Sequence, residues 1–234
     1  MQPARVGRRR VGNDAATKRR HEPSHARALA SRATIDDSAM ADRSLPQLHT
    51  ARLRLRDWTD ADLAPFGQLN ADPEVMRFMP ATLPRAASDA MVARIRAHAG
   101  QHGFGLWVVE ERERPGLIGF VGLMVPSFHV PSLPAGVAIV EVGWRLATHA
   151  WGRGFATEAA DAALAYGFVD VGLPEIVSFT VQANERSWRV MRRLGMTHDP
   201  RDDFDHPRLA AGHPLRRHVL YRLARDDWRS QRAP

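Results

Sequence analysis

The sequence predicts an α/β fold: a mostly antiparallel central sheet with helices on both faces. Three patterns predict it. Strand-like runs recur from about Thr50 to the final His218–Leu223. Helical stretches with glycine or polar punctuation separate them. In the second half one order occurs twice. Ile139–Leu146 runs into Trp151-Gly152-Arg153-Gly154-Phe155-Ala156-Thr157-Glu158, and Ile176–Val181 runs into Asn184-Glu185-Arg186-Ser187. Strand, helix, strand in that order is compatible with a parallel pair.

A chain of 234 residues, 44% hydrophobic, is large enough for one domain with a full core. It holds no apolar run of the ~18 residues a membrane span needs. No apolar stretch of the secretory kind follows its basic N-terminus. Cysteine is absent, which removes disulfides, thiolate zinc sites and a cysteine acyl-enzyme, and fits a cytoplasmic location. Residues 1–44 carry ten bases against five acids, a net +5 of the chain's +7, so the remaining 190 residues are near neutral. That segment lacks periodicity and reads as a disordered basic extension, with 45–234 as the folded domain. Any nucleic-acid contact would rest on the extension alone. Met40 stands directly ahead of the folded pattern and is a candidate alternative start.

The elements follow in order. Leu53, Leu55 and Trp58 alternate with Arg52, Arg54, Arg56 and Asp57, as in a half-buried strand. Thr59-Asp60 opens a helix whose middle Pro65 disturbs. Asp72-Pro73-Glu74 reads as a further helix start, with a cap, a proline at the first position and an acid at the positive end. Over 85–99, Ala87, Met91, Ile95 and His98 share a face, and Gly100 and Gly103 close the helix. Strands Phe104–Glu111 and Leu117–Val125 are joined by a polar turn, and Pro126, Pro131 and Pro134 make 126–136 a loop. Residues 197–216, rich in Asp, His and Pro, are irregular.

A glycine pair at a helix start lets orphan N–H groups approach a phosphate, and the helix dipole favours the anion. Residues 152–157 form such a candidate cradle, with Arg153 as a charged donor. It is no P-loop, because Gly-Lys-Ser/Thr is missing, and Thr157 stands where a dinucleotide fingerprint has its third glycine. The plain alternative is a glycine turn before an ordinary amphipathic helix with Phe155, Ala159, Ala163 and Phe168 inward. Asn184 and Ser187 serve either as a capping pair or as ligand contacts. Glu141, flanked by Val140 and Val142, is costly without a partner or a purpose. It is either an edge-facing or ion-paired residue on the polar face of a half-exposed strand, or a general base. The Asp and His residues of 202–218 lack ligand spacing, so no metal is expected.

The string Trp151–Glu158 resembles the acetyl-coenzyme A loop of GNAT acetyltransferases, usually Gln/Arg-x-x-Gly-x-Gly/Ala. Gly152 and Gly154 match, and His149 takes the place of Gln or Arg. Asn184, Ser187, Val190, Met191, Leu194, Gly195 and Met196 resemble the second cofactor motif of the ribosomal-protein-acetylating branch. The resemblance covers 48–224. It implies that the two motif strands lie parallel and splay apart around acetyl-coenzyme A. Trp144, Arg145, Leu146, Gly152, Arg153, Gly154, Phe155, Ala156, Thr157, Asn184 and Ser187 would bind this cosubstrate. Asn184 would meet the pantetheine arm, and Ser187 would donate to the departing thiolate. Arg192 and Arg193 would either meet the 3′-phosphate or form a solvated helix face. Glu141 would take the amine proton through a water, and a bulge around Val142–Trp144 would offer N–H groups to the thioester carbonyl. Phe78, Met79, Trp107, Asp205 and His206 would line the acceptor side, with Asp205 against a cationic amine. The implied function is direct N-acetylation of a primary amine, on a protein N-terminus or a small molecule, without acyl-enzyme or metal. A non-catalytic coenzyme A-binding or RNA-associated module is the alternative. No membrane partner is expected, and a homodimer is allowed for.

Overall fold

The computed structural model describes residues 44–133 and 139–232. Residues 1–43 of the expected extension, Met40 included, lie outside them, as does Pro134. Among the described residues nine strands form one sheet: β1 (Leu48–His49), β2 (Leu53–Arg56), β3 (Leu106–Glu111), β4 (Leu117–Met124), β5 (Glu141–Leu146), β6 (Glu175–Val181), β7 (Thr197–His198), β8 (Phe204–Asp205) and β9 (Arg217–Ala224). The helices are α1 (Leu63–Ala71), α2 (Arg85–His102), α3 (Phe155–Val169), α4 (Glu185–Arg193) and α5 (Arg225–Ser230). The strand order is β1-β2-β3-β4-β5-β6-β9-β7, with β8 also on β9. Every pair is antiparallel except β5 with β6.

Period-two alternation divides the core between the two faces. Leu53, Leu55, Trp107, Val121, Val142 and Leu146 pack under α3 and α4 with Phe155, Ala159 and Met191. Leu106, Val108 and Phe120 point the other way, against Phe66 and Leu69 of α1 and Val92 and Ile95 of α2. On the same side as α1 and α2, Val177 joins Val130, Leu133, Phe204 and Leu220. The mixed sheet with flanking helices and one parallel pair is the architecture the sequence predicted.

Several local expectations need correction. Pro65 does not disturb a helix middle. A 3-10 turn at Asp60–Asp62, with Thr59 and Asp62 in a capping box, comes first, so Pro65 falls in the opening turn of α1. A proline N–H is not needed there. Residues 73–78 are turns rather than a helix. Asp72 does accept from the Glu74 N–H at 2.8 Å, but of this run only Met76 is buried, so nothing rewards propagation. The inward stripe of α2 is Ser88, Val92, Ile95 and Ala99, displaced from the expected one. Ser88 turns inward because the Asn70 amide donates to its hydroxyl at 2.9 Å. Gly103 ends α2 in the left-handed region (φ 71°). The irregular stretch 197–216 contains the short strands β7 and β8.

Candidate active site

The site begins where the sheet comes apart. β4 and β5 keep an unbroken register from Gly119↔Leu146 to Met124↔Glu141, and β6 and β9 pair from Glu175 to Val181. Between β5 and β6 the register is the single pair Glu141↔Val177. The Val177 N–H donates to the Val140 carbonyl at 2.9 Å. By alternation the main-chain groups of Val142 and Trp144 then face β6, and those of Phe179 face β5. Beyond the apex these groups look across a widening gap. The expected bulge at Val142–Trp144 is absent, since the β4–β5 register runs straight through it. The splay, not a bulge, frees the Val142 carbonyl and the Trp144 N–H, while the Glu141↔Val177 pair still engages the Val142 N–H.

An open cleft of about 1320 Å³ lies on this gap. Its walls include Trp144, Arg145 and Leu146 of β5, the turn and helix start at Gly152, Gly154, Phe155, Ala156 and Thr157, and Asn184 and Ser187 at the start of α4. Gly152 (φ 74°) and Gly154 (φ 80°) hold the left-handed backbone that L side chains avoid. The turn therefore needs glycine at both places. Glu158 N–H closes the first helical bond to Gly154 O at 3.0 Å. The N–H groups of Phe155, Ala156 and Thr157 have no carbonyl a turn earlier and stay free at the positive end of α3.

A carboxylate so close to an anion cradle requires neutralising. The Glu158 Oε1 accepts from Thr50 Oγ1 at 2.6 Å and from the Arg52 N–H at 2.9 Å, while Oε2 accepts from Arg52 Nε at 2.7 Å. Burial pulls this carboxyl's pKa up, but those bonds outweigh it and hold it below the usual range. Arg52 Nη1 also donates to Arg153 O at 2.9 Å, so one side chain fastens both ends of the turn.

Glu141 stands at the apex, three residues behind the cleft wall at Trp144. Among the described residues its carboxylate has no hydrogen-bond or ion-pair partner. Burial alone raises its pKa from 4.5 to about 8. Ser187 is half-buried in the first turn of α4 on the cleft wall, its N–H donating to Asn184 O at 3.0 Å and its hydroxyl without a partner among the described residues. Asn184 does not cap α4 through its side chain; its amide donates to Thr180 Oγ1 at 3.0 Å instead.

A family model for the acetyltransferase (GNAT) domain matches residues 52–197, well over half of the chain. The chain belongs to the GNAT acetyltransferase family. A curated relative, FsC-acetyl coenzyme A-N(2)-transacetylase of Aspergillus fumigatus, is 29% identical over 211 residues, 83% of each protein. The crystal structure of an acetyltransferase from Agrobacterium tumefaciens is 28% identical, with a TM-score of 0.60 over 77% of this chain and 95% of that one. Mycobacterium smegmatis RimJ in complex with CoA-disulfide, 18% identical, shares the fold (TM-score 0.59, covering 75% of this chain and 83% of that one).

Within this GNAT domain four expected site residues are placed elsewhere. Arg153 leaves the cradle: its guanidinium grips the Glu111 carboxylate at 2.6 and 2.7 Å and lies 4.2 Å from the Phe155 ring centre. Trp107 has no exposed surface; it is core, with Nε1 donating to Pro46 O at 2.7 Å. Asp205 already faces Arg216 (3.4 Å) and Arg217 (3.7 Å) and lies off the cleft wall. His206 packs against Phe128 (ring centres 4.4 Å apart) and His218 (5.1 Å), also off the wall. Phe78 and Met79 do line the cleft, with Val75. Arg145 is on the wall, but its side chain crosses to the α1 face, where Nη1 donates to Asn70 Oδ1 at 2.6 Å.

The structure adds residues that the sequence reading passed over. Arg186 and Arg189 line the cleft together with Arg193 from α4. Their spacing of three and four was the available signal, because it puts them on one helical face. Arg192, considered alongside Arg193, is not on this wall. Asn70 and Ser88 carried no signal, since buried polar side chains are legible only through their partners.

Proposed function

We propose that this protein transfers the acetyl group of acetyl-coenzyme A directly to the nitrogen of a primary amine. The carrying observation is Glu141: a carboxylate of pKa about 8, without a partner among the described residues, at the point where β5 and β6 part. A primary ammonium must lose its proton before it attacks, and a base of that strength takes it near neutral pH.

The cosubstrate fits the walls. Free N–H groups at Phe155–Thr157 receive the diphosphate, and Arg186 and Arg193 face the remaining negative charge. The pantetheine arm runs along the open edge of β5, past the main-chain groups of Val142 and Trp144 and the side chain of Asn184. The amine nitrogen attacks the thioester carbonyl carbon. Glu141 takes the ammonium proton through a water before attack; the new C–N bond then forms as the C–S bond breaks, and the sulfur leaves as a thiolate bonded by the Ser187 hydroxyl and takes up the second proton that the nitrogen sheds as it becomes an amide. The Trp144 N–H, the first on this edge of β5 beyond the Glu141↔Val177 pair, supports the carbonyl oxygen as charge develops, an effect of about 3 kcal/mol. Holding amine and thioester together supplies much of the rest. The Aspergillus fumigatus relative, whose name gives acetyl coenzyme A and an N(2) position, supports transfer to nitrogen.

The test is thiol release on incubation with acetyl-coenzyme A and a panel of primary amines, with mass spectrometry of the products. Release that depends on the amine is expected. Tight cosubstrate binding with no release for any amine favours a binding module.

A further inference from the structure

We infer that Arg145 anchors an anionic group of the acceptor, so that the amine acetylated here carries a carboxylate on the same molecule. The inference rests on the acetyl-transfer reading for the identity of the second ligand, but its structural basis is separate.

The charges of the cleft wall are unequally satisfied. Each acid on it is already ion-paired within the chain: Glu74 with Arg77 (4.0 Å), Glu158 with Arg52 (2.6 Å), Glu185 with Arg189 (2.6 Å) and Asp161 with Arg232. Among the described residues Arg145, Arg186 and Arg193 have no carboxylate partner. The walls thus offer free positive charge, and the unpaired carboxylate beside them, Glu141, is the proposed base. The further ammonium groups of a polyamine find no free carboxylate on the walls.

Arg186 and Arg193 stand on α4 beside the cradle. Arg145 does not. Alternation along β5 puts Glu141, Gly143 and Arg145 on the sheet face opposite α3, the face of Phe120, 5.4 Å from the guanidinium. The guanidinium is held by a neutral relay, Arg145 Nη1 to Asn70 Oδ1 (2.6 Å) and Asn70 Nδ2 to Ser88 Oγ (2.9 Å). Asn70 and Ser88 are fully buried, so the relay is rigid, but it aims the charge without cancelling it. Most of the guanidinium donors are left over. Burial disfavours the charge and pulls the pKa down to about 10, yet arginine remains protonated at neutral pH. A bound anion offsets that burial cost, and a planar carboxylate fits the donor fork.

The geometry also limits the spacing. Glu141 and Arg145 are separated along one strand face by roughly 13 Å of backbone. The Glu141 Oε1 bends toward Gly143, lying 3.8 Å from where a Cβ would be. Phe78 and Val75 wall the same end. An ω-amino acid or short peptide spans this distance more readily than an α-amino acid.

The test uses matched acceptors: ε-aminocaproate against ε-aminocaproamide, alanylglycine against alanylglycinamide, and spermidine. Thiol release and calorimetric binding to CoA-saturated protein are both read. Wild-type protein should prefer the carboxylates by about tenfold in kcat/KM and in affinity, with spermidine poorest. Arg145→Met should erase the preference by raising KM for the carboxylates while KM for acetyl-coenzyme A holds. Arg145→Lys should keep part of it. Amides bound and turned over as well as carboxylates by the wild-type protein overturn the proposal, whatever the variants do. So does an Arg145→Met variant that loses acetyl-coenzyme A affinity instead. Carboxylate-selective binding without thiol release sinks the transfer reading and leaves the anion site standing; release without selectivity does the reverse.

Discussion

Replacing Glu141 with Gln keeps the side chain's size and removes its ionisation. The wild-type carboxyl has a pKa of about 8, raised from 4.5 by burial alone. At pH 7 only about a tenth of it is ionised, so kcat/KM should climb about tenfold per pH unit before levelling above pH 8. A positioned base typically contributes ~10²–10⁴ in rate, so Glu141→Gln should lower kcat by at least ~10²-fold. Acetyl-coenzyme A affinity should hold, and the pH limb should vanish. An acceptor whose own amine titrates adds a second limb. Two amines of different pKa separate them, because the limb of Glu141 stays in place. Linkage supplies an independent sign. The folded carboxyl binds its proton more tightly than the unfolded one, so its stabilising contribution is full below about pH 4.5 and is lost as pH rises through about 8. Gln suffers no such loss. The melting temperature of Glu141→Gln relative to wild type should therefore rise between about pH 5 and about pH 9. A flat melting difference, or kcat and cosubstrate affinity falling together, would refute the assignment of Glu141 as the base.

Other substitutions test the frame around it. Ser187→Ala should lower kcat by about tenfold or more, the value of a hydrogen bond to a charged atom, with little change in KM for acetyl-coenzyme A. Gly154→Ala forces alanine to φ 80°, a strain of roughly 1–2 kcal/mol, and should weaken acetyl-coenzyme A in calorimetry. Glu158→Gln discriminates between two signs: removing a negative charge beside the cradle alone predicts tighter cosubstrate binding, but loss of the clamp from Thr50 and Arg52 predicts weaker binding, which is the expected result. Gly119→Ala would place a Cβ 2.1 Å from Arg145 O and should lower the melting temperature by roughly 10 °C in a thermal scan.

What was legible in the sequence had a local cause. Alternation in Leu53–Arg56 follows from Leu53 and Leu55 being buried while Arg54 and Arg56 stay part-exposed, and Leu117–Met124 reads as a nearly continuous apolar run because β4 is buried on both faces. Gly152 and Gly154 announce a backbone that only glycine holds easily, and Glu141 announces an unusual cost. The errors had long-range causes. Arg153 sits in the cradle motif, but Glu111 across the sheet claims its guanidinium. Trp107 invites an acceptor role as an aromatic, yet Pro46 and Tyr166 enclose it in the core. Asp205 invites a cationic substrate by residue type, yet Arg216 and Arg217 stand beside it. The helix start at Asp72 has its cap and its proline but too little apolar surface after them. In each case the residue type was read correctly and the partner lay beyond the local window.

The splay of β5 from β6 links the proposed cosubstrate path to the proposed base. A continuous sheet would pair the Val142 carbonyl and the Trp144 N–H with β6; the parted one turns them toward the cleft. Such groups need partners, and an extended ligand bearing amides supplies them in strand-like fashion. At the apex the same divergence has just begun, and Val177 is still paired with Glu141. The Glu141 carboxylate is desolvated there, with no partner among the described residues. Widening the apex would admit water and return Glu141 toward an ordinary, weaker base. Closing it would remove the edge along which the thioester arrives. The two requirements meet only where a paired strand turns into an open one, and Glu141 is the residue at that position.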